Sequence, residues 1–195
     1  MTVRHLYLAR HGDAAEGGGL TAAGQQQAEC LARRLADVPL TSITHSPERR
    51  AVETAALLSG PAAVESEAVG DYVPYVPDPV PSAFAALIAD WTAEELASGP
   101  RLAAQALDRF AGPAPDGAER HDLVITHAYP AAWFVRDALQ APPERWLGLN
   151  HANCALTVIR YSDDRPPGLL VFNDMSHLPA ELRWTGFPPH LRLSR

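Results

Sequence analysis

The stretch HLYLARHGDA, residues 5–14, decides how the rest of the chain is read. It opens as a short buried β-strand, VRHLYLA, and runs directly into Arg10, His11, Gly12 and Asp13. Three later segments repeat the strand pattern: LTSITHS, AAVES and HDLVIT. Helical patterns lie between them. LTAAGQQQAECLARRLADV has apolar residues at helical spacing behind Thr21 as N-cap, and SPERRAVETAALLS is expected to start a helix at Ser46 with Pro47 in the first turn. PAAWFVRDALQ follows HDLVIT as a further helix. CALTVIRY and GLLVFND read as two strands turning at SDDRPPG. Alternating strands and helices predict an α/β fold: a three-layer α/β/α sandwich with a mostly parallel central sheet and one antiparallel strand.

Between the third strand and HDLVIT lies GDYVPYVPDPVPS, too rich in proline for regular structure. Two helical segments follow, AFAALIADW and TAEELASGPRLAAQALDRFAG, the second expected to break near Gly99 and Pro100. We read residues 1–195 as one domain, with a small helical insertion over about 72–112 at the edge of the sheet.

Composition narrows the function. The chain of 195 residues carries a formal net charge of −7, which disfavours nucleic acid or an anionic membrane as partner. All sixteen basic residues are arginine, so lysine chemistry, including a Walker-type phosphate loop, is excluded. An anion would be held by arginine forks, backbone N–H groups or histidines. Cys30 and Cys154 have no paired spacing, no zinc-ligand spacing occurs, and no apolar run is long enough to span a membrane. The polar N-terminus has no signal-peptide pattern, so a cytoplasmic location is expected. Neither metal nor cofactor is called for, and nothing in the sequence sets an oligomeric state.

In open α/β sheets ligands bind beyond the carboxyl ends of the strands. Those ends carry Arg10, His11 and Gly12, then Ser46 with Arg49 and Arg50, and finally His127. Two histidines converging with arginines would suit a tetrahedral phosphoryl group.

These segments resemble the histidine phosphatase superfamily, also called phosphoglycerate-mutase-like. LARHGDA is similar to its Arg-His-Gly signature, LTAAGQQQA to its following helix start, SPERRAVETA to the segment carrying its second arginine, and VITHA to the strand carrying its second histidine. NHANCALTVI and NDMSHL are similar to its last strand and tail. The resemblance implies that His11 attacks phosphorus, that Arg10, Arg50 and His127 hold the non-bridging oxygens, and that water then hydrolyses a phosphohistidine. Gly12, Ser46 and Ala128 are the expected substrate-binding neighbours. The family's general acid is a carboxylate after the third strand. Among Glu65, Glu67 and Asp71, we favour Asp71, with Glu67 as runner-up. The short AAEGGG loop is similar to the small phosphatases, so a phosphatase is favoured over a mutase. The expected partner is a phosphorylated small molecule or a phosphoprotein. A phosphohistidine-protein phosphatase and a non-catalytic phospho-ligand module are the alternatives. Tyr72, Tyr75, Tyr129 and Trp133 are candidates for the mouth of the site, although Trp133 and Phe134 fit the helix core better.

Overall fold

In the computed structural model, which describes residues 2–15, 18–115 and 117–193, the opening stretch forms β1 (Val3–Arg10). It pairs in parallel with β4 (Glu119–Thr126) on one side and antiparallel with β5 (Leu156–Ser162) on the other. β2 (Ser42–His45) extends the sheet beyond β4, β3 (Ala63–Glu65) lies outside it, and β6 (Arg165–Asp174) closes the far edge. The order is β3-β2-β4-β1-β5-β6, and β5 alone runs against the other strands. The expected fold class is the observed one.

Alternation along β1 sends successive side chains to opposite layers. Ala9 joins Leu31 and Leu35 of α1 (Ala22–Leu35) and Ala51 and Ala55 of α2 (Arg49–Ala56). Leu6 and Leu8 join Ala106 and Phe110 of α4 (Ala93–Phe110) and Phe134 and Val135 of α5 (Ala128–Ala138). Thr21 caps α1 as expected, its hydroxyl accepting from the Gly24 N–H at 3.0 Å.

Four local expectations change. α2 starts at Arg49 behind Glu48, because the Ser46 N–H stays on the sheet, donating to the Ile125 carbonyl. α4 runs unbroken through Pro100: Gly99, Ala103, Ala106 and Phe110 form one buried stripe that spans the proline, so packing overrides the missing N–H. Gly99 lets α4 come so close to the Val73 carbonyl that a Cβ would collide with it. The β5–β6 turn is only Asp163 and Asp164, with Pro166 and Pro167 inside β6, where an edge strand tolerates them. The insertion does not sit at the sheet's edge. Its α4 covers the central strands, while α3 (Ala85–Ala89) packs toward α5 through Ile88 and Ala132.

Candidate active site

β1 ends by delivering Arg10 and His11 to the carboxyl edge of the sheet. The His11 N–H donates to the Thr126 carbonyl at 3.0 Å, which holds the residue against the end of β4. His11 Nδ1 lies 2.7 Å from the Gly12 carbonyl oxygen. A carbonyl only accepts, so Nδ1 carries the proton and Nε2 keeps its lone pair. That Nε2 accepts from Arg50 Nε at 3.2 Å. Burial first, then the Arg10 and Arg50 charges, push the His11 pKa down to about 3, so the ring is neutral at pH 7.

Gly12 is needed by close approach. A Cβ there would lie 2.6 Å from the Gly24 carbonyl oxygen of α1. Its N–H donates to Thr54 Oγ1 at 3.0 Å, and that hydroxyl donates to the Arg50 carbonyl at 2.6 Å. The backbone of the nucleophile loop is thereby tied to α2.

Arg50 joins the remaining groups. Its Nη2 donates to Asp71 Oδ2 at 2.7 Å and lies 3.3 Å from His127 Nδ1, and its Nη1 reaches Glu48 at 3.3 Å. His127 follows β4 as the N-cap of α5. It is 2% exposed, its ring centroid lies 5.0 Å from that of His11, and burial followed by the His11, Arg50 and Arg10 interactions holds its pKa well below 6.5. Asp71 follows the 3-10 turn Glu67–Val69, and its Oδ2 is 3.4 Å from His127 Nδ1. Burial raises the Asp71 pKa, while Arg50 and Arg10 pull against that rise.

Arg10 is fixed from the C-terminal side. Its Nη1 donates to the carbonyls of His151 at 2.9 Å and Gly186 at 2.7 Å, and its buried Nε makes no hydrogen bond. Gly186 has φ +66°, and a Cβ there would collide with Asn153 and Arg10. Asn153 donates to the His11 carbonyl at 2.9 Å.

Arg10, His11, Asp71, His127 and Ala128 line a cleft of about 230 Å³, and Arg50 lines a neighbouring pocket that shares Arg10, His11 and Asp71 with it. Leu87, Trp91, Tyr129 and Pro188 form the less polar wall of the cleft. A neutral imidazole lone pair, two guanidinium groups, a second imidazole and a carboxylate across these two pockets can attack, hold and protonate a phosphoryl ester.

Of the residues expected from sequence, His11, Arg10, Arg50, His127, Asp71 and Ala128 meet here. Ser46 and Gly12 stand behind the cleft wall. Ser46 is fully buried, its Oγ 2.7 Å from His127 Nε2, and Gly12 is occupied with Thr54 and His11. Glu67 and Glu65 are exposed and outside the cleft lining. Tyr129 reaches the cleft. Tyr72 is buried with its hydroxyl on the Ala68 carbonyl, and Tyr75 stacks on Trp133. Phe134 is core, as expected. Asn153, His151 and Gly186 were not foreseen. They come from loops more than 140 residues away in sequence; His151 and Asn153 lie in NHANCALTVI, similar to the family's last strand, but nothing there marks them as partners of Arg10 and His11.

The family model described as histidine phosphatase superfamily (branch 1) matches residues 6–71 and 79–174. The chain belongs to the histidine phosphatase superfamily. It is similar to the serine/threonine-protein phosphatase Pgam5, mitochondrial, of Caenorhabditis elegans: 31% identical over 187 residues, covering 90% of this chain and 64% of that protein. The human counterpart is 28% identical over 194 residues, covering 91% and 65%. This superfamily chain therefore spans slightly less than two thirds of those relatives. Both relatives are labelled mitochondrial, which overturns the cytoplasmic expectation. Among solved structures, it resembles a phosphoserine phosphatase from Entamoeba histolytica, with TM-score 0.68 at 20% identity, covering 90% of this chain and all of that one. It also resembles a phosphoglycerate mutase from Plasmodium falciparum, with TM-score 0.61 at 24% identity, covering 92% and 96%. At that identity the likeness is one of fold. No helix among the described residues is long and apolar enough to cross a membrane.

Proposed function

We propose that the chain hydrolyses phosphate monoesters through a phosphohistidine on His11 Nε2, without a metal at the reacting phosphorus. The observation that carries the reading is the 2.7 Å contact between His11 Nδ1 and the Gly12 carbonyl, which leaves Nε2 unprotonated beside Arg50.

The Nε2 lone pair attacks phosphorus, and the bond to the ester oxygen breaks. Arg10, Arg50 and His127 hold the three non-bridging oxygens, the two guanidinium groups supplying the charge and the neutral His127 ring orientation. Ala128 opens α5, and the first-turn N–H groups of a helix have no intrahelical partner. Asp71, its pKa raised, gives its proton to the leaving oxygen. A water then attacks phosphorus, its proton passes to Asp71, the P–N bond breaks, and inorganic phosphate leaves with Nε2 restored. Ser46 and Thr54 act as positioning residues, for His127 and Gly12. Residues 1–195 work as one domain in this reading, since Leu87 and Trp91 of the 72–112 insertion line the cleft.

The names of the relatives favour a phosphoserine or phosphothreonine in a protein as substrate, and the wall of Leu87, Trp91 and Tyr129 suits a leaving group with carbon surface. The test is turnover of p-nitrophenyl phosphate and of a phosphoserine peptide in excess EDTA. Both should be hydrolysed. Activity that disappears on chelation and returns with a divalent ion contradicts the metal-free step. Phosphate binding with no turnover of either substrate favours a binding module.

A further inference from the structure

A second cluster of imidazoles lies at the opposite end of the same two strands. His5 on β1 and His121 on β4 are register partners, and Glu119 precedes His121 by two residues. Residues two apart on a strand share a face, so all three side chains leave the sheet on one side. Glu119 Oε1 is 3.5 Å from both His5 Nδ1 and His121 Nε2, and the three atoms lie within 4.8 Å of one another. Ligand atoms bound at 2.0–2.2 Å around a tetrahedral ion are about 3.4 Å apart, so two edges of the polyhedron already have the right length.

We infer that His5, Glu119 and His121 form a zinc site that clamps β1 to β4 at the end of the sheet remote from His11.

Three further observations support the assignment. His5 Nδ1 is buried and makes no hydrogen bond, and Glu119 Oε1 at 3.5 Å meets it only as an ion-pair contact, so a ligand atom faces the cluster with its hydrogen-bonding capacity unused. Tyr7 Oη lies 3.1 Å from His121 Nδ1. With that nitrogen protonated and donating to Tyr7, the Nε2 lone pair is left for an ion, which is how outer partners orient histidine ligands. Glu119 is exposed at the rim, its side chain 62% accessible, so a fourth position stays open to water. Two imidazoles with one carboxylate suit zinc, whereas calcium and magnesium favour all-oxygen shells.

The two imidazole rings now stack at 4.9 Å with a 20° tilt. Ion capture turns one ring out of that stack, a motion about a soft terminal torsion. Arg160 faces His5 from β5 as its register partner, and its Nη1 is held by Ser162 Oγ at 2.9 Å. His5 is six residues before His11, about 20 Å along an extended strand, so the ion takes no part in catalysis. His5 lies more than a hundred residues from Glu119 and His121 in sequence. The complete site therefore exists only in the folded chain, and zinc binding would be linked to folding.

The test is calorimetric titration of EDTA-stripped protein with zinc chloride, beside His5→Ala, Glu119→Gln and Tyr7→Phe. Wild type should take up one ion with a rise in Tm. His5→Ala and Glu119→Gln should bind more than tenfold more weakly and lose the Tm rise. Tyr7→Phe should weaken binding about tenfold, as loss of an outer partner does. Cobalt(II) in place of zinc should show tetrahedral visible bands that vanish in His5→Ala. A parallel titration of His11→Ala separates any ion held by the histidines of the cleft. Circular dichroism and p-nitrophenyl phosphate turnover verify that the His5 and Glu119 variants are folded. Wild type that takes up no zinc, or variants that bind it as tightly as wild type, overturn the assignment.

Discussion

The guanidinium of Arg50 donates to the carboxylate of Asp71 at 2.7 Å, with Arg50 Nε still on His11 Nε2 at 3.2 Å. One side chain therefore links the proposed nucleophile to the proposed acid before any substrate is present. When a phosphoryl group enters, its oxygens compete for Arg50, and Asp71 loses part of the positive charge that lowers its pKa. Substrate binding itself would favour the protonated carboxyl that the leaving oxygen needs.

Asp71→Asn should therefore separate substrates by leaving group. An alkyl phosphate should slow by about a hundred to ten thousandfold, the usual range for general acid catalysis, whereas p-nitrophenyl phosphate should slow far less. Glu67→Gln is the control and should leave both rates near wild type, since that side chain is exposed and outside the cleft. Equal slowing of both substrates by Asp71→Asn would remove Asp71 from the acid role. Steady-state kinetics on the two esters makes the measurement.

Acid stability follows from the buried imidazoles. The pKa values of His11 and His151 are pushed to about 3 and about 4, and that of His127 lies well below 6.5, with burial the largest cause for each. Below pH 6.5 the unfolded chain binds protons that the folded one refuses, so stability is complete above 6.5 and falls as pH falls. The slope is about 1.4 kcal/mol per pH unit for each such group, until its folded pKa is reached. Thermal melts from pH 7 to pH 4 should show Tm falling, and His151→Gln should flatten the fall. A Tm that rises on acidification contradicts the assignment of neutral buried rings.

Gly12→Ala should damage both fold and site. The added methyl meets the Gly24 backbone carbonyl at 2.6 Å, and relief must move either α1 or the loop carrying His11. Overpacking of this kind costs about 1–3 kcal/mol. A displaced Gly12 carbonyl also releases Nδ1, so kcat should drop more than tenfold while the protein remains folded at low temperature. Chemical denaturation and kcat on the same preparation measure the two effects, and unchanged values for both would contradict the close approach.

Arg10, His11 and His127 were legible because each stands where an apolar strand pattern stops, and strand ends are where α/β sheets place ligands. Arg49 and Arg50 were legible as a pair behind the second strand, the resemblance singled out Arg50, and Asp71 became legible through the resemblance alone, since it does not follow a strand directly. The inner support was not legible. Asn153, His151 and Gly186 meet His11 and Arg10 through contacts spanning more than 140 residues; NHANCALTVI is similar to the family's last strand, but periodicity alone does not say which of its residues reach back to β1. The continuity of α4 through Pro100 depended on a buried stripe against the sheet, a tertiary effect stronger than the local rule. The His5, Glu119 and His121 cluster has no zinc spacing in sequence because parallel register, not chain proximity, assembles it. Ser46 was read as a helix cap because it precedes Pro47, whereas its hydroxyl meets His127 and its N–H stays on the sheet.

The central claim is that phosphorus becomes bonded to His11 Nε2, and trapping the phosphoenzyme tests it most directly. Wild type is mixed with a phosphate monoester, quenched in alkali, digested and mapped by mass spectrometry, with phosphorus NMR to identify the ring nitrogen. An acid-labile, alkali-stable phosphoryl group should be found on His11 at Nε2. It should be absent from His11→Ala, which should retain its fold and lose several orders of magnitude in rate. A His11→Ala protein that turns over at the wild-type rate, or a phosphoryl group trapped on His127 or on a carboxylate, contradicts the account.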